Sequence, residues 1–283
     1  MATVVTHRRP EETAPAVAAL IEVARTVGAR LVFDQTEAEK HRVEAADGIE
    51  LVETCPRDVD ICFALGGDGT ILRALRAFAG TGVPVFAVNF GQVGFLATVD
   101  REDARLGFER AFAREFEVLS LPGIAVRVNG DSWIAINDVS VQRQQQGQRV
   151  ATLAYAVGDD EIGRVRCDGL VAATPAGSTG YNLANGGPVM AWGVEGVVVS
   201  FIAPHSLTAR ALVVAPNDPL TIANTSGDEP VDVVIDGRPV AVLGPGDRLE
   251  ARFVHNQGLL AQLEGDNFYR RLHQKFGRLA TLR

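Results

Sequence analysis

Residues 65–70 carry the stretch that decides the fold, Leu65-Gly66-Gly67-Asp68-Gly69-Thr70. An apolar run at residues 60–65 leads into it and is typical of a buried strand. Apolar residues at helical spacing follow it over residues 71–78. The stretch is therefore predicted to join a strand to a helix, where open α/β sheets bind ligands and where helix N–H groups face a bound anion.

Helical and strand patterns alternate in the part of the chain around this stretch. Helical spacing covers residues 11–27 and stops before Gly28, a residue type that commonly ends helices. Short apolar runs at residues 31–33, 60–65 and 83–88 indicate buried strands, and further helices are expected over residues 71–78 and about 100–116. This order predicts an α/β domain at residues 1–119 with a mostly parallel sheet covered by helices.

Turn-forming residues interrupt alternating apolar runs in the second half. The sequence Asn-Gly at 129–130 divides residues 126–136, Gly-Asp-Asp at 158–160 divides residues 151–165, and Asp-Gly at 236–237 divides residues 231–242. Each pattern is typical of a β-hairpin, which predicts a β-rich, sandwich-like domain at residues 120–263. Helical spacing returns in the last segment, residues 264–283, through Phe268, Leu272 and Phe276.

Composition and charge exclude several classes of protein. A chain of 283 residues with 47% hydrophobic and 22% charged residues is typical of a globular protein of about two domains. Its net charge of −8 argues against a protein that coats nucleic acid, since binding phosphates requires a basic excess. The three cysteines lack metal-ligand spacing, and neither a secretion signal nor a long apolar segment is evident. We therefore expect a cytoplasmic protein without membrane contact.

Asp68 stands between glycines that let the main chain approach a ligand closely. It could be the N-cap of the following helix, a common role for aspartate, or it could reach a ribose hydroxyl beside bound phosphates. Two other nucleotide-binding signatures are excluded. Neither of the two lysines, Lys40 and Lys275, lies in a Walker A sequence, and the dinucleotide fingerprint counted from Gly67 meets Leu72 where its third glycine should be.

A second candidate site begins at Asp168. The sequence Asp-Gly-Leu-Val-Ala-Ala-Thr-Pro-Ala-Gly-Ser-Thr-Gly-Tyr-Asn covers residues 168–182, and no charged residue occurs from 169 to 194. Residues 170–173 suit a buried strand, whereas residues 174–185 are too rich in hydroxyl, amide and glycine groups to fill a core. This segment is typical of a loop that contacts a ligand through neutral donors, and Tyr181 could stack on it or hydrogen-bond to it.

Both candidate sites, taken with Asn-Phe-Gly-Gln-Val-Gly-Phe-Leu at 89–96, Asn137-Asp138 and Pro-His-Ser-Leu at 204–207, closely resemble the NAD kinases, which phosphorylate NAD to NADP. The resemblance covers nearly the whole chain in the same order. Gly-Gly-Asp-Gly-Thr alone is less specific, since 6-phosphofructokinases and lipid kinases share it. The Asp-Gly-Leu and Thr-Pro-x-Gly-Ser-Thr-x-Tyr elements are what separate the NAD kinases from them.

The resemblance implies an NAD kinase/6-phosphofructokinase-like architecture, in which residues 264–283 return to the α/β domain. It assigns Asp68 as the general base that acts on the 2′-hydroxyl of the adenosine ribose, with Gly66, Gly67 and Thr70 in the phosphate loop. It also assigns Phe95 to the adenine and the loop at 179–181 to the nicotinamide end. The complete set of implied NAD contacts is Gly69, Arg73, Phe95, Asn137, Asp138, Arg149, Arg166, Asp168, Ala176, Thr179, Gly180, Tyr181 and Arg238.

From the residues alone, Arg73 suits a solvated helix face as well as a diphosphate contact, and Asn137-Asp138 suits a turn. The resemblance further implies ATP or another phosphoryl donor, a divalent cation such as Mg²⁺ without assigned protein ligands, and a homodimer or homotetramer.

Four positions depart from the family's usual residues. Asp138 replaces a glutamate, Ala176 a threonine or serine, Gly180 an alanine, and Arg238 a glutamine. These changes could alter the affinity for NAD or the preference between NAD and NADH, but they leave Asp68 in place. Two rival functions therefore stay open at this point: a kinase for a sugar phosphate or lipid, and an NAD(P)-binding sensor without activity.

Overall fold

The computed structural model describes residues 1–91, 94–144, 150–264 and 268–280. Its helices are α1 (Pro10–Val27), α2 (Gln35–His41), α3 (Asp68–Ala77), α4 (Ala104–Phe112), α5 (Tyr181–Ala184) and α6 (Phe268–Ala280). Its strands are β1 (Ala2–Thr6), β2 (Leu31–Asp34), β3 (Ile49–Val52), β4 (Ile61–Gly66), β5 (Pro84–Asn89), β6 (Val99–Asp100), β7 (Glu117–Val128), β8 (Asp131–Ala135), β9 (Asp138–Arg143), β10 (Ala151–Val157), β11 (Asp160–Cys167), β12 (Gly169–Ala173), β13 (Val197–Ile202), β14 (Leu212–Val214), β15 (Leu220–Asn224), β16 (Val231–Ile235), β17 (Arg238–Leu243) and β18 (Arg248–Gln262).

The chain divides into two compact units. The first contains Met1–Ser120 and Gly258–Arg283, and the second contains Leu121–Gln257. Within the described residues, no helix is both long and apolar enough to cross a membrane.

The first unit is built on a parallel sheet. The end of β18 pairs with β5, and the order continues through β4, β1 and β2 to β3, with every pairing parallel. Helix and strand residues such as Leu20, Phe63 and Phe108 are fully buried and form its core. Since neighbouring strands run the same way, Thr6, Gly66 and Asn89 end β1, β4 and β5 at one edge of the sheet.

The second unit is antiparallel. One sheet has the order β14-β13-β12-β9-β16-β17, and β11, β10, β15 and the first part of β18 pair antiparallel in another. Residues from both sheets, among them Leu153, Leu170 and Ile222, share a single hydrophobic core. These two architectures confirm the predicted combination of a mostly parallel α/β domain and a β-rich, sandwich-like domain.

Turn chemistry explains why the predicted hairpins form. Asn129 and Gly130 take φ values of 53° and 89° between β7 and β8, and Asp236 and Gly237 take 47° and 75° between β16 and β17. Two consecutive residues with positive φ are what the favoured two-residue hairpin turn requires. Gly28, with φ of 69°, ends α1 as predicted.

Several elements differ from the prediction. The helix expected over residues 100–116 is α4 alone, because residues 101–103 form a 3₁₀ turn and Arg114 adopts a left-handed φ of 60° beyond its end. The sequence patterns also missed β1, α2 and β3, each of seven residues or fewer. In α2, the Asp34 carboxylate caps the helix by accepting the Glu37 N–H at 2.9 Å.

Candidate functional site

Residues 65–70 lie at the carboxyl end of β4, between β1 and β5 in the parallel sheet of the first unit. Gly67 has the extended conformation of an N-cap, and Asp68 is the first residue of α3. The prediction of a strand-to-helix connection is confirmed. The alternative in which Asp68 is the N-cap is wrong, because Gly67 occupies that position and no side chain caps the helix.

The Asp68 carboxylate is held by a segment distant in sequence. Its Oδ2 accepts the Phe95 N–H at 3.1 Å, and its Oδ1 accepts the Leu96 N–H at 3.2 Å. A Cβ on Gly94 would lie 2.2 Å from Oδ1, so this position accommodates only glycine while the carboxylate keeps its place. The side chain therefore has a fixed orientation at the edge of the sheet.

The three glycines of the stretch differ in what surrounds them. A Cβ on Gly66 would lie 2.4 Å from Thr70 Oγ1, so Gly66 allows α3 to pack closely against β4. Nothing lies within 4 Å of a Cβ built on Gly67 or Gly69. The amino end of α3 is thus accessible over these two residues, as an anion site at a helix N-terminus requires.

Arg73 contacts the carboxyl end of β1. Its guanidinium donates to the Thr6 carbonyl and lies 3.5 Å from Glu37 Oε1. Glu37 is only 4% exposed and also accepts from Thr6 Oγ1 and from Lys40 Nζ, at 2.6 and 2.7 Å. Arg73 is therefore part of a charged cluster beside the 65–70 stretch, and a diphosphate contact stays a prediction.

Phe95, the predicted adenine contact, is packed against α6. Its ring stacks on Phe268 at a centroid distance of 6.1 Å, lies as close to Phe276, and has Lys275 Nζ 4.6 Å from its centroid. The residue is 2% exposed, so this conformation does not offer the ring to a ligand. Arg271 of the same helix donates to the Phe95 carbonyl at 2.9 Å, a contact that the sequence did not reveal.

In the second unit, Asn137 and Asp138 lie where β9 begins. Asp236 accepts the N–H groups of Ile136, Asn137 and Asp138 at 3.0, 2.8 and 3.1 Å. Asn137 Oδ1 is buried and has no hydrogen-bond partner within the described residues. Sequence reasoning identified the Asp-Gly turn that contains Asp236 but missed the role of its carboxylate.

The loop that follows β12 packs on the same segment. Thr174 donates its N–H to the Asn137 carbonyl at 2.8 Å and its hydroxyl to the Ile136 carbonyl at 2.7 Å. A Cβ on Gly177 would lie 2.0 Å from the Asn137 carbonyl oxygen. Ala176 is buried in this loop, whereas Gly180 and Tyr181 are exposed at its end.

Asp168 pairs with an arginine that the sequence did not single out. Arg143 Nε lies 2.7 Å from Asp168 Oδ1, with both side chains partly exposed. Arg166 is exposed on β11, and its carbonyl accepts the His205 N–H. Arg238 is exposed at the start of β17, and Arg149 lies outside the described residues.

Burial and neighbouring carboxylates shift pKa values in this group. Burial, together with the nearby Asp236 carboxylate, raises the pKa of Asp138 to about 7. Partial burial of the Tyr181 side chain raises its pKa above the usual value, and the Asp138 and Asp168 carboxylates act in the same direction. Asp138, Asp168 and Tyr181 are thus close enough to interact, although they are distant in sequence.

Comparisons with known proteins match both halves of the chain to one family. Residues 14–116 match the protein family described as "ATP-NAD kinase N-terminal domain". Residues 136–260 match the family described as "ATP-NAD kinase C-terminal domain". An NAD kinase of Gemmatimonas aurantiaca is 32% identical over 241 residues, with 82% of each chain covered. NAD kinase 2 of Streptomyces avermitilis is 36% identical over 251 residues, covering 85% of this chain and 82% of the relative.

Two solved structures share the fold. Yeast NADH kinase complexed with NADH has a TM-score of 0.86 at 21% identity, covering all of this chain and 89% of the other. An NAD kinase from Archaeoglobus fulgidus in complex with ATP has a TM-score of 0.74 at 22% identity, with both chains fully covered. The two family matches together cover most of the sequence, and both relatives are more than 30% identical to it. The chain therefore belongs to the NAD kinase family.

Proposed function

We propose that the chain transfers the terminal phosphoryl group of ATP to the 2′-hydroxyl of the adenosine ribose of NAD, giving NADP. The observation that carries this proposal is the oriented Asp68 carboxylate at the accessible amino end of α3, in a chain of the NAD kinase family. A parallel sheet binds ligands at the carboxyl ends of its strands, and a helix N-terminus favours phosphate.

Asp68 is proposed as the general base. An ionised carboxylate has about four acceptor positions, and the Phe95 and Leu96 N–H groups use two of them. An acceptor position is therefore left for the ribose hydroxyl, whose proton the carboxylate takes as the oxygen attacks the γ-phosphorus and the bond to the β-phosphate oxygen breaks. Because phosphoryl transfer is largely loose in character, holding the hydroxyl in line contributes more than basicity.

Several polar residues are proposed to recognise NAD. Arginine suits the diphosphate because its guanidinium donates in a planar fork. Asn137 Oδ1, which has no hydrogen-bond partner within the described residues, is proposed to accept a donor from NAD. The proposed contacts are those expected from the sequence, except for Phe95, whose ring is buried against α6: Gly69, Arg73, Asn137, Asp138, Arg149, Arg166, Asp168, Ala176, Thr179, Gly180, Tyr181 and Arg238.

A divalent cation such as Mg²⁺ would neutralise phosphate charge during transfer. No group of three or more His, Cys, Asp or Glu side chains in the described part of the chain is placed to hold a metal ion. We infer that the nucleotide phosphates carry most of the cation's ligands, since Mg²⁺ usually takes only one or two protein carboxylates beside them. A cytoplasmic location and a homodimer or homotetramer stay predictions, and light scattering of the purified protein tests the latter.

The test is NADP formation from NAD, ATP and Mg²⁺ by the wild type and by Asp68→Asn. We expect kcat to fall by about 10²–10⁴-fold in the variant, the usual contribution of a general base. Calorimetric NAD binding should stay within about threefold, and Asp159→Asn, at an exposed turn, is the control. If binding and kcat fall together, Asp68 only anchors the 94–96 segment; if Asp68→Asn keeps its activity, the assigned role is wrong.

The same assay separates the rival functions. Turnover of sugar phosphates or diacylglycerol without NADP formation would indicate a different kinase, and tight NAD binding without transfer from any donor would indicate a sensor. NADH in place of NAD, and other nucleoside triphosphates or polyphosphate in place of ATP, then define the substrate and donor preferences.

A further inference from the structure

Asp236 is placed to control the two residues proposed to bind NAD in the second unit. It lies in the turn between β16 and β17, about 100 residues from the segment it contacts. One carboxylate oxygen accepts the N–H groups of both Asn137 and Asp138, and the other accepts the N–H of Ile136. The Asp236 N–H in turn donates to the Asp138 carbonyl at 3.0 Å.

The opposite side of the segment is held by Thr174. Its N–H and hydroxyl donate to the carbonyl oxygens of Asn137 and Ile136. Three N–H groups and three carbonyl groups of residues 136–138 are thus bonded, two carbonyls to Thr174 and one to Asp236. The backbone is fixed on both sides and its three N–H groups are used, so any donor to a ligand from this segment comes from a side chain.

We propose that Asp236 is a positioning residue for NAD recognition, acting through the backbone of residues 136–138 to set the direction of the Asn137 and Asp138 side chains. The proposal rests on the proposed function, in which these two side chains contact NAD. Asp236 itself does not contact the substrate in this scheme. Its carboxylate is needed because three N–H donors require two accepting oxygens, and an asparagine supplies one oxygen and a competing donor.

The experiment compares Asp236→Asn with the wild type in steady-state NADP formation, varying NAD and ATP separately at 15 °C. We expect the KM for NAD to rise at least tenfold, while the KM for ATP and kcat change less than threefold. Asp247→Asn is the matched control, because the Asp247 carboxylate also accepts a backbone N–H in a turn, from Gly244 at 2.9 Å. It should change none of the three constants by more than twofold.

Thr174→Val provides a second, independent variant if Asp236→Asn does not fold. It keeps the side-chain shape but removes the hydroxyl that donates to the Ile136 carbonyl, so it should also raise the KM for NAD selectively. Circular dichroism and thermal unfolding establish the folded fraction of each variant at the assay temperature. Isothermal titration with NAD should show the same loss of affinity as the kinetics.

An unchanged KM for NAD in folded Asp236→Asn overturns the proposal, and so does an equal loss in Asp247→Asn. A fall in the apparent kcat that follows the folded fraction, with both KM values unchanged, would mean a merely structural role. Failure of the proposed function gives a different result, since the wild type would then form no NADP under any of these conditions.

Discussion

Replacing Gly94 by alanine tests the position of the Asp68 carboxylate directly. The new methyl carbon would lie 2.2 Å from Asp68 Oδ1 and 3.0 Å from Oδ2. Since non-bonded heavy atoms pack at about 3.5 Å, the Asp68 carboxylate has to move by about 1 Å or more. The short side chain rotates more easily than the backbone shifts, so the fold should persist while Asp68 leaves its position.

The expected cost is larger for catalysis than for stability. Rotation of the Asp68 side chain breaks its hydrogen bonds from the Phe95 and Leu96 N–H groups. Because water can bond to the freed groups, the free energy of unfolding should fall by only about 1–3 kcal/mol. A displacement of about 1 Å at a reacting group costs about 10²-fold in rate. We therefore expect kcat to fall about 100-fold or more, with a smaller change in the KM for NAD.

Steady-state NADP formation and urea unfolding measure these two effects. Gly227→Ala is the control, because Gly227 is exposed, has no positive φ, and has nothing within 4 Å of a built Cβ. The double variant Gly94→Ala/Asp68→Asn should be little worse than Asp68→Asn alone, since both changes act through one carboxylate. Activity within threefold of the wild type for Gly94→Ala, or additive losses in the double variant, would refute the reasoning.

Three further variants test other contacts. Gly177→Ala brings a methyl group within 2.0 Å of the Asn137 carbonyl oxygen, so it should lower the free energy of unfolding by about 1–3 kcal/mol and raise the KM for NAD, measured by urea unfolding and kinetics. Arg271→Gln removes the guanidinium that donates to the Phe95 carbonyl and should lower kcat by about tenfold in the same assay through the Asp68-binding segment. Because the pKa of Asp138 is raised from 3.8 to about 7, the folded protein holds a proton between these pH values that the unfolded chain lacks, and stability should fall as pH rises through this window. Asp138→Asn should remove that slope in urea unfolding from pH 5 to pH 8.

The elements that the sequence predicted are those whose physical cause is local. A positive φ at Asn-Gly or Asp-Gly turns, an αL glycine after a helix and an alternating apolar pattern each depend on a few neighbouring residues. The missed elements depend on distant partners. The short helix α2 contains Glu37, whose buried carboxylate binds Thr6, 31 residues away, and no local pattern encodes that contact.

The same distinction applies to the candidate site. Residue types and motif order predicted that Asp68, Asn137 and Asp138 matter, because ligand-binding chemistry restricts which side chains are suitable. They did not predict what orients these residues. The N–H partners of Asp68 lie 27 and 28 residues away, and those of Asp236 lie 98 to 100 residues away.

The number of backbone bonds separates two kinds of aspartate in this chain. Asp68 accepts two N–H groups through different oxygens and keeps acceptor positions that the proposed function assigns to the substrate hydroxyl. Asp236 accepts three N–H groups through its own two carboxylate oxygens. These bonds hold the turn that contains Asp236 against the start of β9. The sequence alone does not show whether an aspartate next to glycine acts on a ligand or orients other residues. Both roles require close approach of the main chain. The partners, which are backbone groups and therefore leave no trace in residue type, decide whether such a carboxylate acts on a ligand or orients the residues that do.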